Sequence, residues 1–129
     1  MLPREDLVRL RHMLDMAREA MMHMQGRSRQ DLDDHLGLGR MVYACLVILG
    51  EAANAVSKET QAAHPQVQWS AIIGMRHRLI HVYFEVDYDV IWQTVQDDLP
   101  VLIAQLEQLL ADEGGSIPLP LPSTLDPTP

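Results

Sequence analysis

Residues 40–57 read Arg-Met-Val-Tyr-Ala-Cys-Leu-Val-Ile-Leu-Gly-Glu-Ala-Ala-Asn-Ala-Val-Ser. Apolar side chains are nearly continuous here, and Ala44, Gly50, Ala52, Ala53 and Ala55 are small enough to let a neighbouring helix approach closely. The run predicts a helix at the centre of a bundle. Cys45, the only cysteine, sits in its apolar half, so a reduced thiol packed as a small hydrophobe is expected and no disulfide framework exists.

Toward the N-terminus, Leu7, Leu10, Leu14, Ala17, Met21 and Met24 recur every three or four positions and predict an amphipathic helix over 6–24, ended by Gly26. Ser28 is placed to cap a short helical turn, with a break near 34–39. Toward the C-terminus, Pro65 lies in a connector, and the stripe Trp69, Ile72, Ile73, Met75, Leu79 and Ile80 predicts a third long helix. Asp87 or a neighbour caps a fourth, running through Val90, Ile91, Val95, Leu99, Leu102, Leu106 and Leu110, which Pro100 should kink or restart. Both tryptophans, Trp69 and Trp92, read as core, and most methionines as core filler. The fold class is all-α, a four-to-five-helix up-and-down bundle over 1–113. Residues 114–129 hold Gly-Gly and five prolines, which predicts a flexible tail.

A chain of 129 residues with 47% hydrophobic content suffices for one domain with one core. The first residues carry charges where a secretory signal has its apolar stretch, and no apolar run approaches the ~18 residues of a membrane span. A soluble, cytoplasmic protein without membrane contact is expected. The net charge of −8 is unevenly spread, because all ten Lys and Arg fall within residues 1–78 with nine acids, whereas 79–129 has nine acids and no base. That distribution argues against broad phosphate binding, so no DNA partner is expected and any RNA contact must be local.

The chemistry concentrates in Met75-Arg76-His77-Arg78-Leu79-Ile80-His81-Val82-Tyr83. Guanidinium forks suit phosphate oxygens, and an imidazole gives or takes a proton at neutral pH. Together they suit metal-free phosphodiester cleavage. On composition alone, the same cluster reads as a basic helix edge paired with the acidic block, for instance Arg78 with Glu85 or Asp87. His77 and His81 have the spacing of a zinc pair, but Arg78 stands where a zinc protease has its Glu, so no metal and no cofactor is expected. On a straight helix Arg76 and Tyr83 lie about 20° apart and His81 about 140° from Arg76, so the three do not converge. Either the helix ends near Ile80 or two copies of the chain assemble the site, and the second arrangement is preferred. Glu51 is a candidate orienting carboxylate.

The span from Val67 to Trp92 with Asp98-Leu99-Pro100, together with Gly50-Glu51-Ala52, resembles the HepT-like family of HEPN proteins over roughly residues 5–110. Its motif of Arg, four residues, His, one residue and Tyr is matched by Arg76, His81 and Tyr83. The resemblance implies a metal-independent endoribonuclease toxin, homodimeric, with Arg76 and His81 lining a cleft between protomers; His77 and Arg78, from the same basic cluster, are candidate substrate-binding or supporting residues. It also implies an RNA substrate and a partner, an MNT-type nucleotidyltransferase antitoxin that AMPylates Tyr83. The sequence departs from the family pattern at His77, commonly Asn, and at Val82 and Glu85, commonly Gly. The competing expectation is a catalytically silent helical module that recruits or regulates a nucleotidyltransferase.

Overall fold

The computed structural model describes residues 1–80 and 85–113. Among these every regular element is helical: α1 (Arg4–Met24), α2 (Arg29–Asp34), α3 (Leu36–Ala55), α4 (Lys58–Ala63), α5 (Trp69–Ile73), α6 (Met75–Leu79), α7 (Tyr88–Gln93) and α8 (Leu99–Asp112), with a π-helical turn at Thr94–Asp98. The expected all-α bundle is thus observed. The expected tail at 114–129 lies outside the described residues.

Local chemistry accounts for most boundaries. Gly26 takes φ +73°, a left-handed turn in which Arg27 N–H reaches Met24 O at 3.0 Å, and α1 stops there. Ser28 and Asp31 form a reciprocal capping box on α2. The break before α3 is a single residue, His35, so α3 begins at Leu36, earlier than its apolar run suggests. At 20 residues, with a mean hydropathy of 1.5 over an 18-residue window, α3 is long and apolar enough to cross a membrane, although no uninterrupted apolar run in the sequence is that long. It is the core helix: Val42, Cys45, Leu46, Leu49, Ala52 and Ala53 are buried, and it packs against α1, α2, α5 and α6.

Asp87 caps α7 by accepting from Val90 N–H at 3.1 Å. Pro100 lacks an N–H, and its ring would clash with a carbonyl one turn back. The helix meets this by widening over 94–98, where Leu99 N–H bonds back to Thr94 O, and restarting as α8 with Pro100 in its first turn. Trp69 is buried, its indole N–H donating to His64 O at 2.9 Å, while Trp92 is only half-buried against the core edge.

The connector around Pro65 is more ordered than its composition suggested, because α4 is tied to α1 through a buried carboxylate. Asp6 is 4% exposed. It accepts from Ser57 N–H at 3.0 Å, Ser57 Oγ at 2.6 Å and Thr60 Oγ1 at 2.6 Å, while Ser57 Oγ accepts from Thr60 N–H to cap α4. Burial pushes the Asp6 carboxyl up, but hydrogen bonds from Ser57 and Thr60 and the charge of Arg9 outweigh it and hold it below its ordinary value of 3.8. A depressed folded pKa contributes stability that is complete above that ordinary value and lost as pH falls through the folded one. Asp6→Ala should therefore lower the unfolding free energy in urea by about 1–3 kcal/mol at pH 7. The difference from wild type should shrink below pH ~4; equal urea midpoints at pH 7 would show that the tie adds nothing.

Candidate active site

The helix expected to carry the chemistry is divided. Gly74, with φ −83° and ψ 1°, closes α5 through its N–H to Ser70 O at 2.9 Å and opens α6, whose His77 N–H bonds to Gly74 O at 3.1 Å. Met75 and Leu79 are buried one turn apart and anchor α6, so Arg76, His77 and Arg78 are all exposed. The chain then leaves the helix: Ile80 is extended at φ −112°, ψ 129° and bridges antiparallel to Val86, and Asp87 N–H bonds to Leu79 O at 2.6 Å. Straight-helix angles therefore do not govern the motif, because the helix ends before Ile80. His81 and Tyr83 fall within 81–84 and lie outside the described residues.

What sets α5 and α6 against α3 is a missing side chain. A Cβ on Gly50 would lie 2.9 Å from the backbone oxygen of Ile72, a distance that real Cβ contacts do not reach. With glycine there, α5 lies directly on α3, and one cleft of about 360 Å³ is lined by Gly50, Glu51 and Asn54 of α3, Ile73 of α5, and Arg76 and His77 of α6. Glu51 thus joins the two basic side chains expected to share its site. Asn54 was not anticipated, although it lies one helical turn beyond Glu51 and the 3.6-residue period offers it.

Arg78 does not belong to this group. It lines a different cavity, bounded by the π turn and α8, beside Asp97 and Asp98. No ion pair joins it to Glu85, contrary to the pairing read from composition. The acidic block is engaged elsewhere: Asp89 holds Arg29 at 2.8 Å, Glu107 pairs with Arg18, and Glu113 accepts from Leu2 N–H at 3.0 Å. Among the described residues, no carboxylate pairs with Arg76, His77 or Arg78. An exposed guanidinium with its donors unengaged is suited to a phosphate or other oxyanion, and an adjacent imidazole can move a proton. Among the described residues, the one cluster of three ligand-bearing side chains, Glu19, His23 and Cys45, involves none of the cleft residues.

The family described as Ribonuclease HepT-like matches residues 10–109. A protein named "Putative RNase TTE0752" from Caldanaerobacter subterraneus is 36% identical over 104 residues, covering 81% of this chain and 93% of the relative. "Probable ribonuclease HepT" from Thermococcus cleftensis is 40% identical over 68 residues, 53% of this chain and 62% of that protein. No solved structure matches.

The close approach at Gly50 is open to a direct check by urea denaturation. Gly50→Ala should destabilise the fold by about 1–3 kcal/mol, because backbone must move. Gly37→Ala, in the same helix with open space around its Cβ, should be neutral or stabilising by up to about 1 kcal/mol. Equal effects at the two positions would mean that the α3–α5 distance is not set at Gly50.

Proposed function

Because this chain belongs to the Ribonuclease HepT-like family, we propose that it is the toxin of a toxin–antitoxin pair, a cytoplasmic endoribonuclease that works without a metal ion. The observation that carries the reading is the exposed Arg76 guanidinium, unpaired among the described residues, sharing a cleft with His77 and Glu51. In the reaction, His81 takes the proton from an RNA 2′-hydroxyl, whose oxygen attacks the adjacent phosphorus. The bond to the 5′-oxygen breaks, and that oxygen receives a proton from a second imidazole or from water. The products are a 2′,3′-cyclic phosphate and a 5′-hydroxyl. Arg76 supplies donors to the phosphate oxygens as negative charge gathers on them, and Glu51 is placed to orient the basic groups.

A homodimer suits this site. Met41, Ala44 and Ile48 are exposed on the outer face of α3, with Met41 48% and Ile48 44% exposed, and that stripe continues into Glu51. A second copy laid on it would bury the apolar side chains and bring two clefts near one another. Regulation follows from the motif tyrosine. An MNT-type nucleotidyltransferase antitoxin that transfers AMP to Tyr83 adds a negatively charged phosphate to the motif, which repels an RNA backbone. A second reading is favoured by one feature, since Glu51 puts a carboxylate in the cleft where RNA phosphate would come. That reading is a silent module that recruits or regulates the nucleotidyltransferase.

Total RNA incubated with the purified chain in excess chelator tests the proposal. Wild type should cut and leave cyclic phosphate ends, His81→Ala should be slower by about 10²–10⁴-fold, and Arg76→Ala should lose far more rate than Arg78→Ala. A His81→Ala protein as fast as wild type would remove the proposed base. No cutting by wild type whose intact mass shows no AMP on Tyr83 would establish the silent module instead.

A further inference from the structure

Between α1 and α3, the structure gathers a second set of chemistry-bearing side chains that the RNA-cleaving site does not use. Glu19 and His23 stand one turn apart on α1, and Cys45 faces them from α3. The Cys45 thiol donates to Glu19 Oε2 at 3.2 Å, His23 Nε2 lies 3.6 Å from that same oxygen, and the three potential ligand atoms all fall within 4.8 Å of one another. In a tetrahedral zinc site, with bonds of about 2.0–2.3 Å, ligand atoms are roughly 3.3–3.8 Å apart. Two edges of such a site are therefore nearly at the required spacing, and side-chain rotation of the partly exposed Glu19 and His23 can close the third.

Burial is graded as an ion site needs. Cys45 is 3% exposed, while the side chains of His23 and Glu19 are 22% and 45% exposed. One side is thus enclosed by protein, and the other admits an ion and a water molecule. We propose that Glu19, His23 and Cys45 bind a divalent transition-metal ion of the Zn²⁺ class, with water as fourth ligand, and so clamp α1 to α3. Thiolate and imidazole select against Mg²⁺ and Ca²⁺, which prefer sites made of oxygen. As the sulfur–metal bond forms, the thiol releases its proton to solvent, Cys–SH and M²⁺ giving Cys–S–M⁺ and H⁺. Without an ion, burial and then the Glu19 carboxylate push this thiol up to about 12. A bound cation attracts both groups and replaces that proton. The inference stands apart from the RNA-cleaving reading, because none of the three residues lines its cleft.

The full chain, reduced and stripped with chelator, is titrated with Co²⁺. One equivalent should give visible d–d bands of tetrahedral intensity and a thiolate-to-cobalt charge-transfer band, both removed by Zn²⁺, and Zn²⁺ should raise the thermal midpoint. Cys45 is the only cysteine, so the charge-transfer band reports this site alone. Cys45→Ala should abolish it, and His23→Gln should weaken cobalt binding by at least about tenfold. Absence of the band in wild type, or His23→Gln binding with unchanged affinity and spectrum, would overturn the proposal. Because His23 is partly exposed, its variant decides the matter even if Cys45→Ala fails to fold.

Discussion

The backbone oxygen of Ile72 rests where Gly50 has no side chain, and the candidate site depends on that contact. It sets the separation of α3 from α5, and Gly74 then turns the chain so that α6 projects Arg76 and His77 over the same cleft as Glu51. A methyl group at position 50 would have to displace main chain, which a packed core resists. The glycine is therefore a positional requirement for the site and also a packing requirement for the bundle. The buried pair Met75 and Leu79 holds the other side of the arrangement, leaving the three basic side chains of α6 exposed.

Charge placement complements this geometry. A chain with formal charge −8 is a poor general ligand for nucleic acid, yet its acids are not spread evenly over its surface. Arg18 and Arg29, from the first third of the sequence, take up Glu107 and Asp89. Each exposed pair contributes little to stability. Near α6, Arg76 has no ion-pair partner among the described residues, while Arg78, two residues on, lines a cavity with Asp97 and Asp98. Adjacent basic residues thus have different surroundings, and only Arg76 shares the cleft with Glu51.

The boundaries of the long helices follow from chemistry within a few residues. Apolar spacing along α1, α3 and α8, the Gly26 turn, the Ser28 cap, the Asp87 cap and the restart at Pro100 were all legible, because each needs only neighbours within about one helical turn. The motif that places the chain in its family was legible for the same reason, being contiguous. The sequence was misleading where a helical stripe ran on through Gly74. Apolar periodicity from Trp69 to Ile80 is compatible with one helix, and only packing of Ile72 on Gly50 and burial of Met75 and Leu79 produce two.

By itself, then, the sequence determined an all-helical chain, several ends of its long helices, its family and the cluster around Arg76, since these are written in short-range spacing and side-chain chemistry. Only the tertiary structure decided that Glu51 and Asn54 join Arg76 and His77, that Arg78 does not, that the acidic block pairs with α1 and α2, and that Cys45 meets Glu19 and His23. Each of those outcomes depends on distances between residues about 20 or more positions apart, or on which side of a short helix a side chain leaves. Those distances are set when helices pack, by the volumes at their contacts, and no local pattern encodes them.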